Sequence, residues 1–179
     1  DAQESRGLGD VYKRQNQTRI SMPGTYAAFP ETAIDVPESW DGFVWPGAAF
    51  GVRKTVDGDP FAPNVLITLE RWPGNIDLDD AAKVLSQRMT AAGAEDVEQQ
   101  QHGESFTMTA KQHDPNLGAM RVQYCLRVIA GEGFTDAITA VGTCTVDQDE
   151  LIGDEINGIV RSLAVESSMV TTIDRDTAA

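Results

Sequence analysis

Residues 35–74 read DVPESWDGFVWPGAAFGVRKTVDGDPFAPNVLITLERWPG, and this stretch decides the kind of fold the chain takes. It holds all three tryptophans, Trp40, Trp45 and Trp72. Phe50, Val52 and Val56 alternate with Arg53 and Thr55, the period of two that marks a strand. Asp57-Gly58-Asp59-Pro60 is strong turn chemistry, and residues 64–72 form the next strand, closed by Pro73-Gly74. Ahead of both, residues 33–36 read as a short strand stopped by Pro37, which cannot donate to a central ladder. Residues 38–47 read as a loop with aromatic anchors. Strands joined by tight turns pair antiparallel.

Working outward, a helix follows. Asp77 is its expected N-cap with Asp80 at the third helical position, and Leu78, Ala82, Leu85, Met89 and Ala92 recur at helical spacing before Gly93 ends it. A weak polar strand is expected at residues 97–102 and a better one at 105–112, with Phe106, Met108 and Ala110 on one face. Residues 120–129 and 134–145 form a hairpin across the turn 130–133. The last helix is expected to start at Asp147, where Asp147 and Glu150 resemble a capping box, and Ile152, Ile156, Ile159 and Leu163 dock it on a core. Hairpins dominate and the alternation of a parallel sheet is missing. The class is therefore α+β, a mainly antiparallel sheet packed with helices, in one domain over residues 22–166.

Residues 1–21 do not read as part of that domain. They lack apolar periodicity and carry Arg6, Lys13, Arg14 and Arg19 in a chain of net charge −14. No 7–15-residue apolar middle marks a signal peptide. The run SRGLGDVYKRQ resembles a translated sequencing adapter, so residues 1–15 are expected to be an artefact. Two origins then stand open: Met22 as the natural start, which favours a cytoplasmic protein, or a lost native leader. Residues 167–179 are expected to be a disordered tail. The acidity argues against nucleic acid and anionic membrane surfaces as partners, and no apolar run is long enough to span a bilayer.

Val36-Pro37-Glu38-Ser39-Trp40, Pro46-Gly47-Ala48-Ala49-Phe50-Gly51 and Pro63-Asn64-Val65, followed by a helix, several strands and a final helix, resemble the LpqN-type family of actinobacterial proteins. That family belongs to the PsbP-like α/β/α sandwiches. The resemblance covers most of residues 30–165 and rests on framework residues. It implies a non-enzymatic, often envelope-associated binding or scaffold protein, and the cell envelope or export as its location. The lipidation cysteine of that family is missing here.

The search for chemistry returns little. His102 and His113 stand outside any metal-binding motif, and the acidic run Asn75-x-Asp77-x-Asp79 lacks the glycine and the closing glutamate of a calcium loop. No phosphate cradle or nucleophile elbow is present. Glu70 and Asp136 are carboxylates on strands with nothing to position a partner for acid–base work. No cofactor and no metal are expected. Cys125 and Cys144 are expected to be unbridged: if the 130–133 turn centres the hairpin, Cys125 faces Ile138 and Cys144 faces Ala119, too far apart for a disulfide.

Two groups remain as binding candidates. Trp40, Trp45 and Trp72 either close the core or form a rigid aromatic rim for a ligand or partner. By alternation, Phe50, Val52, Phe106, Met108, Val122, Tyr124, Leu126 and Val128 fall on the core side under the helices. Arg53, Lys111, Arg121 and Arg127, with Gln123, Thr107 and Thr109 between them, would then share the outer face as a basic patch on an acidic protein. The expected function is a binding or scaffold role toward a partner protein or an envelope lipid or glycolipid. The alternative is a hydrolase-type enzyme with an unrecognised site.

Overall fold

The computed structural model describes residues 28–166. The expected artefactual stretch 1–21 and the expected tail 167–179 lie outside them. In chain order the elements are β1 (Glu31–Ala33), β2 (Asp41–Phe43), β3 (Phe50–Arg53), β4 (Asn64–Pro73), α1 (Leu78–Ala91), β5 (Glu95–His102), β6 (Ser105–Asp114), β7 (Gly118–Ala130), β8 (Phe134–Thr145), α2 (Val146–Arg161) and β9 (Ala164–Glu166). Seven strands form one antiparallel sheet in the order β2-β3-β4-β8-β7-β6-β5, and β1 pairs with β9 in a separate ribbon.

The sheet is buried on both sides. Cys125 pairs with Ala140 and Leu126 with Thr139, so odd residues of β7 share a face with even residues of β8. Cys125, Ile138, Ala140, Val65 and Ile67 pack under Ile152, Ile156 and Ile159 of α2. Phe106, Met108 and Leu126, on the opposite parity, pack under Ala81, Ala82 and Met89 of α1. The helices are offset: α2 lies over β4, β8 and β7, and α1 over β7 and β6.

This corrects the one-sided reading of the strands. Phe50 pairs with Ile67 and Val52 with Val65, which places both on the α2 face, opposite Phe106, Met108, Val122, Tyr124 and Leu126. Alternation fixes which residues of one strand share a side, but not the phase between strands. When helices cover both faces, both parities carry apolar residues.

Local differences have local causes. The cap of α2 lies two residues before the expected Asp147, at Thr145: its hydroxyl accepts from the Gln148 amide at 3.3 Å, and Gln148 Oε1 accepts from the Thr145 amide at 3.0 Å. The β7–β8 register is shifted by two from the expected one, with Ala130 opposite Thr135, because the hairpin turns about Glu132-Gly133: the Gly131 amide donates to the Phe134 carbonyl at 2.8 Å. Cys125 and Cys144 remain free and buried. The short strand near residue 33 sits two residues earlier than expected, where β9 supplies its partner, and the expected loop 38–47 contains β2. Gly142 on β8 lets α2 sit close, since a Cβ there would meet Ile156 Cγ2 and Val160 Cγ2.

Candidate functional site

Each expected binding residue has a definite place, and the structure does not gather them. Trp40 is 6% exposed inside the α2 core, and its indole donates to Glu155 Oε2 at 2.9 Å. Lys54 Nζ reaches both oxygens of the same carboxylate at 2.9 Å. These two donors, Lys54 first, hold the Glu155 carboxyl below its ordinary range. Trp72 packs against the α1 cluster and donates to Glu70 Oε2 at 2.9 Å. Arg88 of α1 also bonds Glu70, and its guanidinium lies 5.6 Å from the Trp72 ring centre. Trp45 stands apart, 56% exposed, edge-on to Phe43. The common aromatic rim is therefore not formed: two tryptophans serve opposite cores and one is at a loop.

The basic patch is corrected too. Arg53 pairs with Asn64, which pairs with Thr143 and, through it, Val122, so Arg53 lies on the α1 side of the sheet. Lys111, Arg121 and Arg127 lie on the α2 side. There Lys111 bonds Asp96 at 2.7 Å, Arg121 Nε lies 3.8 Å from Asp149, and Arg127 donates to Leu163 O and Glu104. Nor do Glu70 and Asp136 face each other. Glu70 pairs with Ala137, one residue out of phase with Asp136, so the two carboxylates point to opposite faces. Among the described residues no His, Cys, Asp and Glu cluster could hold a metal ion.

The offset of the helices builds a different site. α2 ends over β7, while β6 and β5 run on beyond it, leaving a cleft of about 320 Å³ with an adjoining one of about 180 Å³. Its floor is a single cross-strand row, Glu98 opposite Thr109 opposite Gln123. Its wall is one row of α2 at i, i+4 spacing: Asp149, Gly153, Asn157 and Arg161. The Gln123 amide reaches this row from the sheet, donating from Nε2 to Gly153 O at 3.2 Å, while the Asp149 carboxylate stands where a Gly153 Cβ would sit.

That bond fixes the amide orientation. Gln123 Oε1 is then left without a partner on a residue only 6% exposed, and the buried Thr109 Oγ1 beside it is also unpaired. Arg161 at the end of the row enters none of the ion pairs among the described residues. The cleft thus combines unpaired acceptors, a free guanidinium and an amide, with no nucleophile set against a base. Sequence reasoning missed it because the i, i+4 polar row on α2 was read only for its apolar neighbours. Gln123, Thr109 and Arg121, which line the cleft, were placed in the basic patch on an outer sheet face with no helix above it.

No protein-family model and no curated protein matches the chain. Among solved structures, LpqN of Mycobacterium tuberculosis, described as involved in cell envelope biogenesis, is 18% identical with a TM-score of 0.60, over 77% of this chain and 84% of that one. The chain has the LpqN-type α+β sandwich fold. The cyanobacterial PsbP of Synechocystis is 15% identical over 81% of this chain and 97% of that one, with a TM-score of 0.47. The Saccharomyces cerevisiae Ran-binding protein Mog1p is 12% identical over 77% and 96%, with a TM-score of 0.45. At those scores neither bears on the argument.

Proposed function

We propose that this chain is a non-enzymatic binding protein that holds a hydroxyl-rich group, such as the glycan of an envelope glycolipid, in the cleft between α2 and β5–β7. The observation that carries this reading is the buried pair of unpaired oxygens at the cleft floor, Gln123 Oε1 and Thr109 Oγ1. A buried acceptor left unpaired costs about 1–3 kcal/mol, and a ligand hydroxyl reaching it would recover that. Sugar hydroxyls both donate and accept, which suits a lining that offers Asn157, Arg161 and Glu98 around those acceptors. The lining of the larger cleft has no apolar side chain, so it fits a headgroup and not an acyl chain. The envelope setting is proposed by analogy with LpqN.

A partner protein is the second reading. Its support is the turn between β2 and β3, where Val44 is 92% and Trp45 56% exposed, an aromatic anchor of the kind common at protein interfaces.

Titrating mannose and glucose oligosaccharides into isotope-labelled protein separates the two. Shifts at Thr109, Gln123 and Asn157 support the glycan reading. Gln123→Leu, which removes the unpaired oxygen, should abolish those shifts while changing stability by less than about 1 kcal/mol. Silence in the cleft for every sugar, with Trp45 protected on adding cell-envelope proteins, would transfer the function to the second reading.

A further inference from the structure

The longer free edge of the sheet is β5, whose eight residues are all exposed. Its partner on the inner side is β6, and neither helix covers it: α1 reaches β6, and α2 stops at β7. Long edges are usually blunted by proline, lysine, bulges or short length. Here a bulge between Glu95 and Glu98, with Asp96 at φ 50°, protects only one end. Gly103, at φ 56°, opens the two-residue turn at the other. Between them Glu98-Gln99-Gln100-Gln101-His102 runs in unbroken register against β6.

The hydrogen-bonding phase of this segment follows from the turn. His102 pairs with Ser105 across Gly103-Glu104, and the pair flanking a two-residue turn is a hydrogen-bonded one. Gln100, opposite Thr107, is therefore also bonded inward, and its carbonyl accepts from Thr107 Oγ1 at 3.1 Å. The backbone groups of Gln99 and Gln101 then point away from the sheet.

We infer that β5 is a homodimerisation edge, pairing antiparallel with β5 of a second copy about a two-fold axis at Gln100. In that register Gln99 lies opposite Gln101 of the other copy, twice over. The outward amides and carbonyls meet in hydrogen-bonded pairs, and Gln100 meets Gln100 in a non-bonded pair. Glu98 falls opposite His102 of the other copy, where the imidazole can donate to the carboxylate. Acid at one end of the segment and imidazole at the other make it complementary to its own reverse, which is what an isologous contact requires. Asp96 would approach Glu104 across the joint, but each already holds a cation, Lys111 and Arg127 respectively. Both helices are set back from the edge, so neither overhangs the incoming strand.

The axis is perpendicular to the sheet and keeps both α2 helices on the same side. The clefts of the two copies then open onto a shared floor of β6, β5 and their two-fold mates. A five-residue edge buries less than the roughly 1,200 Å² of a stable interface, and the net charge of −14 opposes association. The dimer is accordingly weak and tightens with salt.

Sedimentation over a concentration series, at low and moderate salt, tests this. The expected result is reversible dimerisation, with the Gln99 and Gln101 amides gaining exchange protection as concentration rises. Gln101→Pro removes an outward donor at an edge position that tolerates proline and should weaken the dimer about tenfold or more with an unchanged circular dichroism spectrum. Should that variant misfold, the charge swap replaces it. Glu98→Lys or His102→Glu alone weakens the dimer, and the double variant restores it. A monomer at every concentration, a dimer indifferent to these changes, or edge amides protected only by an added foreign peptide would overturn the inference.

Discussion

Asp136 shows what a single residue can demand of its surroundings. It is 3% exposed on β8, and a buried carboxylate needs a partner. Arg71, directly opposite on β4, supplies a two-pronged bond, Nε to Oδ1 at 2.6 Å and a terminal nitrogen to Oδ2 at 2.8 Å. The guanidinium is itself held between Phe134 at 4.1 Å and Phe29 at 4.6 Å. Removing one partner strands the other charge. Arg71→Met should therefore destabilise by about 3 kcal/mol in urea denaturation, and the double variant Arg71→Met/Asp136→Leu should regain most of the loss. From the sequence Asp136 read only as a strand carboxylate with nothing to position a partner. Its partner lies 65 residues away, beyond the reach of any local pattern.

At the scale of elements, α2 is held by three things of different legibility. Its isoleucine stripe was plain in the spacing. Its cap was misplaced by two residues because Asp147 and Thr145 are both chemically competent, and only the strand end decides between them. Its anchor, Glu155 to Lys54 and Trp40, was invisible. That anchor predicts an acid response. Glu155 titrates below its ordinary 4.5 because Lys54 and Trp40 bond the charged form, and Glu70 does so through Arg88 and Trp72. A lowered folded pKa means stability that is complete above the unfolded value and lost as pH falls through the folded one. The melting temperature should hold steady above about pH 5 and fall below about pH 4.5. Glu155→Gln should start lower at neutral pH and lose less on acidification. A variant curve parallel to the parent's would show that the anchor has no part in the acid loss.

For the whole molecule, the offset of two helices on opposite faces matters most. It buries β7 on both sides, leaves the polar cleft beside α2, and leaves β5 bare. Both cysteines lie in the α2 core, where burial raises the Cys125 thiol pKa. Burial, with Asp149 beside it, pushes Cys144 to about 12. Neither should react with a thiol reagent at neutral pH in the native state. Labelling should proceed at one common rate for both, through global unfolding, and accelerate together in urea. A faster rate for one of them would reveal a local opening of β8 against α2.

What the sequence determined by itself was local: period-two strands, the turn at Asp57–Pro60, the β7–β8 hairpin though not its register, the Asp77 cap of α1, the apolar stripes of both helices, and hence the α+β class. Strand extent was legible in part: β8 runs over residues 134–145 as its alternation indicated, whereas β3 stops at Arg53, short of the expected Thr55 and Val56. Only tertiary structure decided which face each strand turns to which helix. Inter-strand phase is set by cross-strand pairing, and pairing joins residues dozens of positions apart. For that reason Arg53 parted from Arg121, the three tryptophans dispersed to two cores and a loop, and Gln123 came to lie beneath α2, bonded to Gly153 O through Nε2 but with Oε1 unpaired.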